Sequence, residues 1–253
     1  VRILLCLKSQ SGQPLGENEG MEWKSKASIA LLITKDSRYL AGAKKMIEES
    51  FEEEGKYSNL FSVKVIFSNE VSREEISTAL AIVFLIEADR GISNEEIDTF
   101  LQLRDMQLPT LILVAGLDLQ TQDFNEESVE RLGLLDQSSW DFDDMVMLCN
   151  RVLEPVVAPY LVLHHEDGHP SGYFDLESSE VIEYRDGERI TRASDKELLE
   201  VVEEFQNEFN QSGYVVSDFL QGNSVLAIPY IPERGMGKAE VNELLTKLLK
   251  AQP

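Results

Sequence analysis

Apolar positions along this chain come in compact runs separated by polar stretches. The runs "VRILLCL" (1–7), "SIALLIT" (28–34), "FSVKVIF" (61–67), "ALAIVFLIE" (79–87) and "TLILVAG" (110–116) are each followed by polar residues. Runs of this length predict strands buried on both faces of a sheet. The intervening segments carry helical spacing. In "DSRYLAGAKKMIEESFEEEG", Leu40, Ala43, Ile47 and Phe51 share one face, the other is acidic, and Gly55 closes the helix. In "SNEEIDTFLQLRDMQLP", Ser93 and Glu96 have the spacing of a capping box, Ile97, Phe100 and Leu101 share a face, and Pro109 ends the helix. Strand, helix and strand within about thirty residues is a βαβ unit, which requires parallel strands.

The pattern changes beyond about Ser138. "WDFDDMVMLCNRVL" predicts a short helix, "APYLVLHHEDGHPSGYFDLESSEVIEYRDGERI" predicts hairpin strands, and "SDKELLEVVEEFQNEFNQSG" an acidic amphipathic helix. "NSVLAIPYIPERGMGKAEVNELLTKLLKAQP" then returns to a strand and a terminal helix. The expected architecture is α/β: a mainly parallel sheet flanked by helices and formed by residues 1–137 and 220–253, with a smaller α+β insertion over 138–219. No internal repeat or low-complexity linker divides the chain.

Charge narrows the partners. With 46 acidic and 23 basic residues the net charge is −23. Such a molecule repels phosphate backbones and anionic lipid over a Debye length of about 8 Å. No run of Lys and Arg offsets this, so direct nucleic-acid or membrane contact is not expected, and a basic protein or a small ligand is. The two cysteines, Cys6 and Cys149, lie in apolar runs. They read as buried thiols of a reducing cytoplasm and cannot form a thiol metal cage alone. No apolar run approaches the roughly 18 residues of a membrane span, and the polar turn soon after "VRILLCL" does not suit a secretory leader.

Three ordered stretches resemble the GTP-binding domain of translation elongation factor G and its relatives. "ALAIVFLIEADRGISNEEIDTFLQLRDMQLPTLILVAGLDL" is similar to that family's strand, Asp-Ala-x-x-Gly turn, helix and base-recognition strand, with Glu87-Ala88 in place of Asp-Ala and Gly91 at the turn glycine. "WDFDDMVMLCNRVLEPVVAPYLVLHHEDGHPSGYFDLESSEVIEY" and the acidic helix resemble the insertion inside that domain, whose Gly-x-x-Asp-Leu falls at Gly172, Asp175 and Leu176. "LAIPYIPERGMGKAEVNELLTKLL" is similar to the last strand, loop and helix, with Val241 and Leu244-Leu245 matching. The likeness runs from about Ala79 to the end of the sequence and implies a P-loop-GTPase-like sheet with a vestigial nucleotide site.

The chemistry of that site is depleted. A phosphate loop needs Gly-x-x-x-x-Gly-Lys-Ser/Thr after the first strand, so that backbone amides, an ammonium and a magnesium-binding hydroxyl meet the phosphates. At Leu7 to Pro14 only the second glycine is present, as Gly12; Gln13 replaces the lysine and Pro14 the hydroxyl residue. Losing both charged contacts costs about 3–6 kcal/mol, on the order of 10² to 10⁴ in affinity. The Asp-x-x-Gly expected after "SVKVIF" is replaced by "SNEVSREEIS", leaving nothing to hold magnesium or align water. At the base site Asp118 can accept guanine N–H groups or cap its own loop, while Ala115 and Gly116 replace the amide and the lysine stem of Asn-Lys-x-Asp.

Other clusters are weighed the same way. His164, His165 and His169, with Glu166 and Asp167, have zinc-type donors, but neighbours on one strand face opposite ways, which favours a solvated turn. Glu197 to Glu208 form either a solvated face or a docking surface for a basic partner. Met21 and Trp23 suit core burial or a partner hot spot. "ERGMGK" (233–238) reads as a surface loop rather than an anion cradle. No G-x-S-x-G elbow supports hydrolase chemistry. The expected function is a catalytically inactive GTPase-like, protein-binding module of the cytoplasm, translation-associated and without a cofactor. A weak GTP- or GDP-binding switch using Gly12, Gln13 and Asp118 is the alternative; a fragment of a longer translation factor is a third.

Overall fold

The computed structural model describes residues 27–34, 37–53, 61–67, 79–118, 141–166, 168–185 and 188–251. Cys6, Gly12, Gln13, Met21, Trp23, Gly55 and Asp167 lie outside them, as do the strand expected over 1–7 and the segment 68–78.

The apolar runs form a parallel sheet in the order β2-β1-β3-β4-β10-β5. Its strands are β1 (Ala27–Thr34), β2 (Phe61–Phe67), β3 (Ala81–Glu87), β4 (Thr110–Ala115), β5 (Val156–Val157) and β10 (Val225–Pro229). Every pairing in it is parallel. β3 and β4 are buried at every position, which is why their sequences show no alternation. Their side chains still divide by parity: Ile82, Phe84, Ile86, Ile112 and Val114 enter one core, and Val83, Leu85, Leu111 and Leu113 the other.

Helices cover both faces. On the second core lie α1 (Leu40–Glu53), through Ala43, Met46 and Ile47, and α6 (Lys238–Lys250), through Val241, Leu244, Leu245 and Leu248. Phe219 of the short α5 (Val216–Leu220) joins them. On the first core lie α2 (Asn94–Arg104), through Phe100 and Leu103, and α3 (Phe142–Val152), through Phe142, Met145 and Cys149. Both expected α/β features are present: a mainly parallel sheet between helices and a separate, smaller antiparallel sheet.

Two details depart from expectation. The capping box of α2 forms as read, with the Ser93 and Glu96 side chains each bonding the other's backbone N–H. Its buried face, however, is Glu96, Thr99, Phe100 and Leu103, while Leu101 is 47% exposed. Capping draws Glu96 inward, so the contact face is turned from the one the apolar residues alone mark. Within 138–219, α3 and β5 belong to the parallel sheet and its core, because Val156 and Val157 pair with Val225 and Leu226 of β10.

The smaller sheet is β6 (Tyr160–His164), β7 (Pro170–Asp175), β8 (Glu180–Arg185) and β9 (Glu188–Ala193), in that order and antiparallel. One face, with Tyr173, Ile182 and Tyr184, packs on the core shared with α2 and α3. The other, with Phe174, Leu176 and Val181, is covered by α4 (Lys196–Ser212) through Val202. Tyr173 and Tyr184 share a hydroxyl hydrogen bond of 2.8 Å. Tyr184 donates to Glu240 Oε2 at 3.0 Å, and Arg189 Nε donates to Glu240 Oε1 at 3.1 Å. The buried carboxylate of α6 is thereby satisfied from β8 and β9, tying the small sheet to the large one.

The Gly-x-x-Asp-Leu stretch has a structural meaning here. A Cβ on Gly172 would meet the Ile182 carbonyl oxygen at 2.1 Å, so β7 and β8 close only around a glycine. Asp175 Oδ1 accepts from the backbone N–H groups of Glu177 and Ser178 at 2.9 and 3.2 Å, which shapes the following turn. Leu176 is buried beneath α4.

Candidate functional site

In an open parallel sheet, ligands settle beyond the carboxyl ends of the strands where the chain order reverses. From β1 the chain passes to β2 on one side and then to β3 on the other, so the reversal lies between β1 and β3. The connection leaving the switch strand is the β1–α1 loop, residues 35–39. That loop reads "KDSRY" and contains no glycine, while the Leu7–Pro14 stretch, where the phosphate end is expected, lies outside the described residues.

The described residues gather here from three strand ends. Ser37 is buried and shapes the turn before α1: its Oγ accepts from the Tyr39 N–H at 3.1 Å and its carbonyl from the Leu40 N–H at 3.1 Å. Arg38 follows. Its Nη2 donates to Asp89 Oδ2, and its Nε lies 3.4 Å from Glu87 Oε2. Glu87, only 5% exposed, is also met by Arg90 Nη1 at 3.4 Å. The Arg38 guanidinium stands 5.3 Å from the Tyr39 ring centroid, within cation–π range.

Glu87 ends β3, and Gly91, with φ 63°, closes the turn by donating its N–H to the Glu87 carbonyl at 3.0 Å. At that φ the turn favours glycine. At the end of β4, Gly116 takes φ 77°, turning Leu117 into the core and placing Asp118 at the sheet edge. Asp118 Oδ1 is buried without a hydrogen-bond partner, as is Asp89 Oδ1. Such atoms are uncommon in folded proteins and mark places where a donor is missing.

Electrostatics at this edge are acidic. Burial raises the Tyr39 phenol to about 12; Arg38 opposes the rise, while Asp118, Asp89 and Glu233 add to it. Burial disfavours the Arg38 charge, but Asp89, Tyr39 and Glu87 outweigh it and hold the guanidinium above its usual value. Among the described residues, Arg38 and Arg90 are paired with Glu87 and Asp89, while Asp118 and Glu233 add negative charge around Tyr39. An incoming phosphate would meet a cation already paired and a field of its own sign. These described residues by themselves do not supply the cation that a magnesium-bound triphosphate needs, whereas Asp118 fits a group offering N–H donors.

The remaining sequence candidates are placed as follows. His164 and His165 are exposed and His169 half-buried on the β6–β7 turn, closed by the His165 N–H donating to the His169 carbonyl at 2.8 Å. Among the described residues no group of three or more His, Cys, Asp or Glu side chains is placed to hold a metal ion. The "ERGMGK" loop is less superficial than expected, because Met236 is fully buried and pairs with Ile231. Gly237 at φ 90° starts α6 where a Cβ would strike the Pro229 carbonyl oxygen at 2.5 Å. Lys238 Nζ is held by Glu49 Oε2 at 2.9 Å. No described helix is long and apolar enough to cross a membrane.

The sequence reading names Asp118 as a site candidate and Glu87 as a position of the resemblance, and does not contain the Arg38–Glu87–Asp89 cluster. Its signal was available: Arg38 and Asp89 each follow closely on an apolar run, and in a parallel sheet such positions share one edge.

No family model matches the chain. No curated protein sequence matches it. Among solved structures it is similar to a Thermus thermophilus protein, ttk003000868, with TM-score 0.53 and 14% identity, covering 90% of this chain and 41% of that one. The chain spans about two fifths of that protein's length. At this identity the likeness concerns the fold alone.

Proposed function

We propose that the chain is a catalytically inactive GTPase-like module that acts by binding another, basic protein, in a translation-associated role in the cytoplasm. The observation that supports this most is the engagement of Arg38, the described cation of the switch-point loop, by Glu87 and Asp89. Freeing it gives up a charged hydrogen bond of about 1.5–3 kcal/mol and exposes the ligand to both carboxylates. The first amide of α1, that of Leu40, which would otherwise attract an anion, is occupied by the Ser37 carbonyl. The sequence adds the missing lysine, hydroxyl and Asp-x-x-Gly. Isothermal titration of the chain with GTP and GDP, with and without Mg²⁺, is the test. Absence of Mg²⁺-dependent heat is expected; micromolar, Mg²⁺-dependent binding defeats the proposal.

A second reading, weak binding of GTP or GDP, draws on one observation. Asp118 Oδ1 is buried and unpartnered at the position where the resemblance implies a guanine contact. If nucleotide binds at all, Asp118→Ala should abolish it, and retention of binding in that variant would remove this reading.

A further inference from the structure

The acidic helix α4 carries an apolar surface that its own packing does not use. Leu198, Val202 and Phe209 face the small sheet and pack with Phe174, Leu176 and Val181. One such stripe suffices to hold a surface helix. A second stripe stays in solvent: Val201 is 71% exposed and Phe205, one turn on, 44%. At about 100° per residue, Glu197, Glu204 and Glu208 fall beside this stripe, on the side away from the sheet. All three are exposed. The ion pair on α4 joins Lys196 to Glu200 at 3.5 Å and leaves those three glutamates unengaged among the described residues.

Resting on the reading of the chain as a protein-binding module, we propose that this flank of α4 receives a basic amphipathic helix from a partner protein. Apolar side chains of that helix cover Val201 and Phe205, and its Lys or Arg residues meet Glu197, Glu204 and Glu208. Helix-on-helix docking of this kind uses anchors at i, i+3 and i+4. Charge selects the occupant. A second copy would bring the same glutamates against themselves, and a lipid surface or nucleic acid would bring phosphates; a cationic helix is complementary to every group on the flank.

The test uses the full chain and a fluorescein-labelled peptide of leucine and lysine in helical amphipathic order, followed by fluorescence anisotropy. Val201→Asp and Phe205→Asp, both at exposed positions, are each expected to weaken binding about tenfold or more. Leu199→Asp, on the opposite flank, should leave it unchanged. A peptide of the same composition in scrambled order should bind more weakly, and added salt should weaken the ordered one. Equal binding by wild type, Val201→Asp and Phe205→Asp overturns the proposal, as does equal binding of the scrambled peptide or no binding to wild type. Wild-type self-association in sedimentation that Val201→Asp abolishes would assign the flank to a second copy and also overturn it. A chain that bound MgGTP yet still took the probe on this flank would defeat the proposed function and leave this surface standing.

Discussion

Arg38 and Glu87 meet across a gap of nearly fifty residues in the sequence, and each depends on the other. Glu87 is buried, so its charge is tolerable only while Arg38 and Arg90 face it. Arg38→Ala removes one of these partners and leaves Asp89 unpaired as well. The expected loss is about 1–3 kcal/mol of stability, read as a lowered midpoint in urea denaturation; an unchanged midpoint would mean that solvent already screens the cluster. Cys149 makes the complementary case in the core. It is fully buried, and burial lifts its thiol to about 12, so the nucleophilic thiolate is scarce and shielded. Peptide mapping after treatment with a thiol reagent should find Cys149 unmodified in the native chain and modified once it is unfolded. Modification without unfolding would contradict its placement in the core beneath the parallel sheet.

Elements differ in how openly the sequence declares them. β3 and β4 are legible because a strand buried on both faces must be apolar throughout, and α2 because Ser93 and Glu96 write its start. The side that α2 buries is not legible, since the same glutamate that caps the helix also enters the core. β5 escapes because two residues at a sheet edge carry no period, and α5 because five residues are too few for one. Strand order is invisible for a different reason: parity shows which side chains share a face, not which strands are neighbours. The candidate site inherits that limit. Asp118 is readable from the strand before it, whereas the Arg38 cluster emerges only once β1 lies beside β3. Within the small sheet, Gly172 is the residue on which the geometry turns. Gly172→Ala would force the β7–β8 pair apart against a contact of 2.1 Å, costing about 1–3 kcal/mol by overpacking. Near-ultraviolet circular dichroism should report it through loosened Tyr173 and Tyr184; an unaltered spectrum would show that the strands can shift without cost.

For the whole molecule, the proposed function turns on the carboxyl end of the parallel sheet. The sheet reverses its order between β1 and β3, as in many nucleotide-binding α/β proteins, yet among the described residues there Arg38 is spent on Glu87 and Asp89. The net charge of −23 acts in the same direction. What the molecule presents instead is acidic surface, with the apolar flank of α4 set within it. Ligand linkage gives the most direct test. A site with a dissociation constant of about 10 μM, saturated by about 1 mM GTP and Mg²⁺, would stabilise the chain by about 2.7 kcal/mol. For a domain of this size that raises the melting temperature by about 5–10 °C. The measurement is therefore the melting temperature with and without millimolar MgGTP: an unchanged value is expected, and a rise of several degrees that disappears when Mg²⁺ is chelated would contradict the proposed function.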